Sequence, residues 1–413
     1  VQVILSIVVF LFLFSPRWSG IDLLAGVSIC LAVLGVAYSI VKNNLNRVVL
    51  YVIGFGAIWS TYFLVLSVLN ASYDSTGLEF GLKFIIYVLA SHMVVQIHKA
   101  CYRDWPLRCL QSVAYAGLAN ALIVCIFFAF PETHNAYVSS IDVSDTQRTW
   151  LETGHRFMDV GMGGGASASA VFAMFVPILV VLGSMTRQRK WFLFIPILFL
   201  ACAVTGRSGV YIATFLLASS LFVESFTRRG AHGVVLRHIG LTISCLFAAI
   251  VAYFSFKADL EYVQYNSEYL NWFLEPFTKG LFEADSTKRV VEDMYFLPDS
   301  LCQLAFGDAN FGRDPRLPYI ASDVGWVRLW HAGGVMSLLG LLFLCCCIIH
   351  WVSKSPLEYR IVVYSAIATI FIMFFKELHF LPRGGGSLFI LLLVLAASLA
   401  SCERKNDARL RSA

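Results

Sequence analysis

Cationic and imidazole side chains recur where this apolar sequence turns, and their types suit the binding of a phosphate. Arg207 lies in Thr205-Gly206-Arg207-Ser208-Gly209, a tight turn that starts an apolar helix. Ser208 is placed to cap that helix, whose free N–H groups and partial positive charge favour an anion. Arg328 and His331 are three residues apart and share one helix face, which offers an anion partner beside a proton acceptor. Gly333 and Gly334 follow and permit close helix approach. Lys376, Glu377, His379 and Arg383 crowd one short turn before Gly384-Gly385-Gly386-Ser387, a backbone able to form an anion-binding nest. His155, Arg156 and Asp159 precede a Gly-rich run from Gly161 to Ser169 that either cradles a diphosphate or lets helices touch, with close packing the expected role. Arg289 follows Lys288 just after Ser286, a candidate cap; basic residues in a first turn oppose the macrodipole, a cost that a nearby anion would relieve. Lys83 stands about one turn inside an apolar segment, where a charge needs a reason. Each has a plainer reading as well: snorkelling for Arg207 and Lys83, an interfacial belt for Arg328 and its tryptophans, a solvated turn for 376–383. Several cations with few paired acids suit a phosphate or diphosphate ligand.

The elements that must position these residues are apolar. Of 413 residues, 58% are hydrophobic and only 14% charged, and the mean hydropathy is +0.73. Soluble domains run at ~45–50% and ~25%. Disordered, fibrous and ordinary cytosolic classes are excluded, and an all-α polytopic membrane protein is expected. The net charge of +5 is spread over many short loops, which argues against nucleic acid as a partner. A span needs ~20 apolar residues, and about twelve segments qualify. They are 1–14, 20–41, 48–69, 80–100, 108–130, 166–186, 190–205, 208–226, 235–256, 327–352, 357–375 and 384–401. The first is short. It lacks a basic n-region and a small-residue cleavage site, so it reads as a span rather than a signal peptide, and the opening Val1 leads us to expect residues ahead of it.

With both termini cytoplasmic, the inner loops and the tail collect most Lys and Arg, while the short outer loops hold only Arg17, Arg207, Lys376 and Arg383. The expected organisation is spans 1–5 in 1–130, an enlarged outer loop 131–165, spans 6–9 in 166–256, a larger and partly helical outer loop 257–325, spans 10–12 in 326–402 and an inner tail 403–413. Loops this long are usually functional, here as a cover over an outward-opening site. Of eleven cysteines only Cys302 falls in a long outer loop, so no disulfide framework is expected. Cys345, Cys346 and Cys347 read as apolar packing, and no Walker, dinucleotide or metalloprotease motif occurs. A proton-coupled carrier would be expected to bury Asp or Glu in mid-span; almost none is apparent, and the two halves show no internal repeat.

The layout and three stretches, Thr205–Gly209, Ser286–Gly307 and Ser322–Gly340, resemble those of bacterial O-antigen polymerases, within the wider group that includes O-antigen ligases. The shared features are an Arg after the seventh span, an Arg-bearing loop helix ending in a Gly turn (Phe306-Gly307-Asp308), and an Asp-x-Gly-aromatic start to a late span. Two ligase patterns fail: Leu342 stands where a Gly would follow His331, and Tyr211 stands where a Leu would follow Arg207. The resemblance implies a bacterial inner-membrane glycosyltransferase with a periplasmic active face. Its donor and acceptor would be undecaprenyl-diphosphate-linked glycans, with membrane lipid and a chain-length-determining co-polymerase as partners, and no metal or cofactor. Carried over, Arg207, Arg289 and Arg328 would hold the diphosphate, with Arg156, Lys376, Arg383 and Lys83 as further cations. His331 is the first candidate base for the attacking hydroxyl, and Asp159, Asp323 and Glu377 are reserves. A ligase and a twelve-span transporter are the rival expectations.

Overall fold

The computed structural model describes residues 1–18, 20–42, 45–143, 157–161, 165–227, 285–312, 320, 322–377 and 384–412. Apart from one hairpin, β1 (Arg17–Trp18) against β2 (Ile21–Asp22), the regular elements among them are helices. In chain order these are α1 (Gln2–Phe14), α2 (Leu23–Lys42), α3 (Arg47–Leu69), α4 (Thr76–Cys101), α5 (Trp105–Ala129), α6 (Pro131–Ser140), α7 (Gly165–Thr186) and α8 (Lys190–Leu193). They continue with α9 (Ile195–Thr205), α10 (Arg207–Thr227), α11 (Asp285–Asp293), α12 (Leu301–Phe306), α13 (Gly325–Val352), α14 (Leu357–Phe374) and α15 (Gly385–Ser412).

Among the described residues eight helices are long and apolar enough to cross a membrane: α2, α3, α4, α5, α7, α13, α14 and the Gly385–Cys402 part of α15. The protein is therefore an all-α chain with the helices of a multi-pass membrane protein. About twelve spans were expected from the ~20-residue criterion, and two of the remainder differ for physical reasons. Helix α1 has 13 residues and so is about 20 Å long, short of a ~30 Å hydrocarbon core. The segment 190–205 is broken between α8 and α9, where Pro196 supplies no N–H in the first turn of α9. Helix α10 fills 208–226 but falls outside the eight, and 235–256 lies outside the described residues.

The chain divides into two compact units, with the division inside α5. The first holds residues 1–116, 161–163 and 294–413. Helix α4 is its centre, with α2, α3 and α15 against it. Gly56 and Gly81 let α3 and α4 touch through their backbones: a methyl on Gly56 would lie 2.8 Å from the Gly81 carbonyl oxygen. At the start of α3 the Asn46 side-chain Oδ1 accepts Val48 N–H at 3.0 Å, while the side-chain amide donates to Ala397 O at 3.2 Å and Ser401 Oγ at 3.1 Å on α15. One polar residue thus sets a helix start and fixes its neighbour.

The second unit holds residues 117–160 and 164–293. Its core is α7, apolar on every side and 89% buried over its central window, with α9 and α10 packed on it. A helix apolar all round belongs inside a bundle.

Candidate functional site

In the second unit, Arg207 opens α10 and is only 4% exposed. The turn from α9 to α10 is made by Gly206 alone. A methyl there would lie 2.8 Å from the carbonyl oxygen of Gly165, the first residue of α7, and 3.2 Å from the Ala166 nitrogen. The first turns of α7 and α10 therefore meet, and two helix N-termini, each with partial positive charge, converge beside a buried guanidinium. Ser169 ties them together. Its hydroxyl accepts from Gly209 N–H at 2.9 Å and donates to the Gly206 carbonyl, with the Cys202 carbonyl 3.0 Å away.

Asp159 sits at this same end. Phe157 N–H reaches the Val204 carbonyl in the last turn of α9 at 3.5 Å, so the segment leading to Asp159 runs along the turn that carries Arg207. Asp159 is buried, and the Asn120 amide donates to its Oδ2 at 3.1 Å while accepting Val160 N–H at 3.1 Å. Asn120 thus holds both the carboxylate and its backbone. His134 on α6 completes the packing. Its Nε2 accepts Met158 N–H at 3.1 Å, with the Phe157 ring 4.9 Å and the Phe127 ring 5.4 Å away. Burial pushes the His134 pKa down to about 4, so it stays neutral with its proton on Nδ1.

The first unit carries the other group of expected residues, around α13. Ser322 donates its hydroxyl to the Met294 carbonyl at 2.7 Å and accepts Val324 N–H at 3.1 Å, which fixes the start of the helix. Arg328 donates Nε–H to the Ser322 carbonyl and Nη2–H to Asp323 Oδ1 at 3.2 Å. Arg328 and Asp323, expected separately as a diphosphate ligand and a reserve base, are thus partners. With Asp323 62% exposed, the ion pair itself contributes about 0–1 kcal/mol.

His331 is 8% exposed. It hydrogen-bonds the Phe296 backbone and meets the Phe296 ring edge-on at 5.1 Å; its Nε2 is buried with no hydrogen-bond partner among the described residues. Gly333 and Gly334 do more than allow close approach, because α13 breaks there. Gly334 has φ 59° and ψ −170°, and the carbonyls just ahead of it turn out of the helix. The loop after α12 supplies their donors: Asp308 N–H to His331 O at 3.0 Å and Ala309 N–H to Ala332 O at 2.8 Å. Tyr62 places its hydroxyl 2.9 Å from Gly333 O and 2.8 Å from Phe306 O. Non-helical backbone at membrane depth survives only where protein satisfies it, and here the loop does so. The Asp308 carboxylate accepts from Asn310 N–H at 2.9 Å and the Gln303 amide at 2.8 Å. Burial raises its pKa above the usual range, and those bonds together with nearby His331 partly reverse the shift.

The remaining expected residues lie elsewhere. Lys83 lies about two turns inside α4 rather than one, because the helix starts at Thr76 and not at residue 80, and it is ion-paired to Glu79 at 3.1 Å. Lys376 and Glu377 form the turn after α14, their N–H groups both given to the Met373 carbonyl at 2.8 and 2.7 Å. Arg289 lies within α11, and Ser286 falls inside that helix rather than ahead of it. The Arg-bearing helix and the Gly turn at Gly307 belong to two separate helices, α11 and α12. Arg156 and Arg383, with His155 and His379, lie outside the described residues. Among the described residues no group of three His, Cys, Asp or Glu side chains could hold a metal ion.

Sequence reasoning missed Asp308 as a site residue. It also missed Asp74, which is 4% exposed and accepts Phe311 N–H at 2.7 Å and Thr76 N–H at 3.0 Å. The spacing Asp74-Ser75-Thr76 ahead of an apolar helix was a readable capping signal. Glu224 was missed as well. It is a buried carboxylate in the last turn of α10, at a helix end rather than in mid-span, and accepts the Ser184 hydroxyl at 2.7 Å. The chain matches no protein-family model, no curated protein and no solved structure, and the site rests on its own geometry.

Proposed function

We propose that the protein is a bacterial inner-membrane glycosyltransferase that joins undecaprenyl-diphosphate-linked repeat units into a surface polysaccharide. The observation that carries the reading is buried Arg207 where the first turns of α7 and α10 meet. Two helix N-termini and a guanidinium form a cationic seat suited to a diphosphate. The acceptor hydroxyl attacks the anomeric carbon of the donor sugar and forms the new glycosidic bond. The bond from that carbon to the diphosphate oxygen breaks, and its electron pair leaves with undecaprenyl diphosphate. Arg207 and the helix termini stabilise the charge that grows on the leaving group. In this reading Asp159, held by Asn120 at the same end of this unit, takes the hydroxyl proton. His331 belongs to the first unit and is tested by itself: wild-type polymer from His331→Ala would remove it as the base.

A reconstituted assay tests the proposal. Purified protein is given undecaprenyl-diphosphate-linked repeat units, and the lipid-linked products are separated by size. A ladder of lengths supports the polymerase. Transfer to an added lipid core, without a ladder, would replace it with a ligase. A second reading, a carrier of lipid-linked glycans, has the break in α13 in its favour, because broken helices with freed carbonyls build the sites of many transporters. Movement of the labelled lipid across vesicles without new glycosidic bonds would establish that reading instead.

A further inference from the structure

Apart from the Arg207 seat, the first unit holds a cavity of about 100 Å³ between α2 and α4, and it is lined by Lys83, which the resemblance offered as a further cation for the diphosphate. Asp22, Ser28 and Lys83 line it together with Leu24, Ile29 and Tyr87. Ser28 is 0% exposed, and its hydroxyl has no hydrogen-bond partner among the described residues. A buried serine in a helix usually bonds back to the carbonyl one turn before it. Ser39 of the same helix does so, donating to Gly35 O at 2.7 Å. Ser28 leaves that bond unmade, and a buried hydroxyl without a partner calls for a ligand or water.

The charges around the hydroxyl carry both signs. Lys83 stands on the α4 side, and its pairing to Glu79 is about two-fifths exposed at both ends, so the pair is weak and exchangeable. Asp22 stands on the α2 side, where its Oδ1 also accepts Ala25 N–H at 3.1 Å. The volume is well below the ~300–1,000 Å³ of usual small-molecule sites and suits a headgroup rather than a sugar chain. Below it α2 presents an exposed apolar stripe. Ile29, Val33, Val36 and Ile40 are 49%, 62%, 40% and 75% exposed, at the i, i+4, i+7, i+11 spacing of one helix face.

We propose that this cavity binds the headgroup of a zwitterionic phospholipid, with the phosphate on Lys83 and Ser28, the ammonium toward Asp22, and an acyl chain along the α2 stripe. A cation, an anion and a free hydroxyl at the head of an apolar face match a phosphate ester bearing an amine on a lipid. This assigns Lys83 to the lipid rather than to the diphosphate, and the site does not otherwise rest on the glycosyl-transfer reading.

The test uses the full chain in detergent and native mass spectrometry with added phosphatidylethanolamine, phosphatidylglycerol, phosphoethanolamine or inorganic phosphate. One phosphatidylethanolamine is expected per chain, in preference to phosphatidylglycerol. Lys83→Met should weaken that binding about tenfold, the loss expected for a charge-assisted hydrogen bond. Ser28→Ala should weaken it several-fold while leaving the fold intact. Asp22→Asn keeps the acceptor for Ala25 N–H and should abolish the preference between the two lipids. Equal wild-type binding of the two lipids, or wild-type affinity in Lys83→Met, overturns the proposal. Equal binding of phosphoethanolamine or inorganic phosphate overturns the lipid as occupant. Should Lys83→Met fail to fold, the Ser28→Ala and Asp22→Asn outcomes decide.

Discussion

The break in α13 gives the sharpest test of how the first unit is built. Gly334 has φ 59° and ψ −170°, a region that essentially only glycine occupies. Holding another residue there costs about 1–3 kcal/mol. The space is also closed: a methyl on Gly334 would lie 2.3 Å from the carbonyl oxygen of Ala305, which is backbone and cannot swing aside. Forcing atoms into such a contact adds about 1–3 kcal/mol. Gly334→Ala should therefore destabilise the protein by roughly 2–6 kcal/mol, the sum of strain and overpacking. For a unit of this size that lowers Tm by on the order of 10 °C. Gly340→Ala on the same helix is the control, because its new methyl would have only Trp59 as a neighbour, at 3.8 Å. It should melt at or slightly above wild type, since alanine is the better helix former. Thermal unfolding in detergent, followed by tryptophan fluorescence, reads both. The Trp330 indole donates to Leu304 O at 3.1 Å and so reports the docked loop directly. If Gly334→Ala melts within error of Gly340→Ala, the break and the backbone contact across it are wrong.

Arg207→Lys keeps the charge but loses the planar fork, and turnover of lipid-linked repeat units should fall by ~10²–10³; full activity would sink the diphosphate seat. Stability should depend on pH through His134. Its folded pKa of about 4 lies below the ordinary value of 6.5, so between them the unfolded chain binds the extra proton. Stability from this group is then complete above about 6.5 and is lost as pH falls toward about 4. His134→Gln should flatten that slope in acid melting curves, and an unchanged slope would clear His134. Asp74→Asn leaves one acceptor oxygen for two backbone donors, Phe311 N–H and Thr76 N–H. It should cost ~1–3 kcal/mol, measured by denaturant unfolding, and a neutral result would refute the anchoring of the loop at Phe311.

The apolar windows were legible because span length is set by bilayer thickness, and the helices from α2 to α5 begin and end within a few residues of the expected segments. The helix start within Thr205–Gly209 was legible as well, because a glycine followed by a polar residue ahead of an apolar run marks one, but Ser208 falls inside α10 rather than ahead of it as its cap. The fate of Gly333 and Gly334 was not. The apolar pattern continues through them, and whether a glycine pair packs or breaks a helix depends on what lies opposite. The pairing of Asp74 with Phe311 joins residues 237 apart in sequence, and no local pattern encodes it. The Glu79–Lys83 pair shows the opposite case. Its i,i+4 spacing was visible, but the apolar setting drew attention to the lysine alone.

From Gly307 to Gly312 every backbone N–H has a protein acceptor: Gln303 O, His331 O, Ala332 O, Asp308 Oδ1, Asp74 Oδ2 and Asn310 Oδ1 in turn. The stretch has no regular secondary structure, yet by hydrogen exchange the amides of Asp308, Ala309 and Phe311 should be protected as in a helix, because opening them uncaps the break in α13 or releases the start of α4. The segment ties the break in α13 to the start of α4 within the first unit, so these two places should open together rather than one at a time.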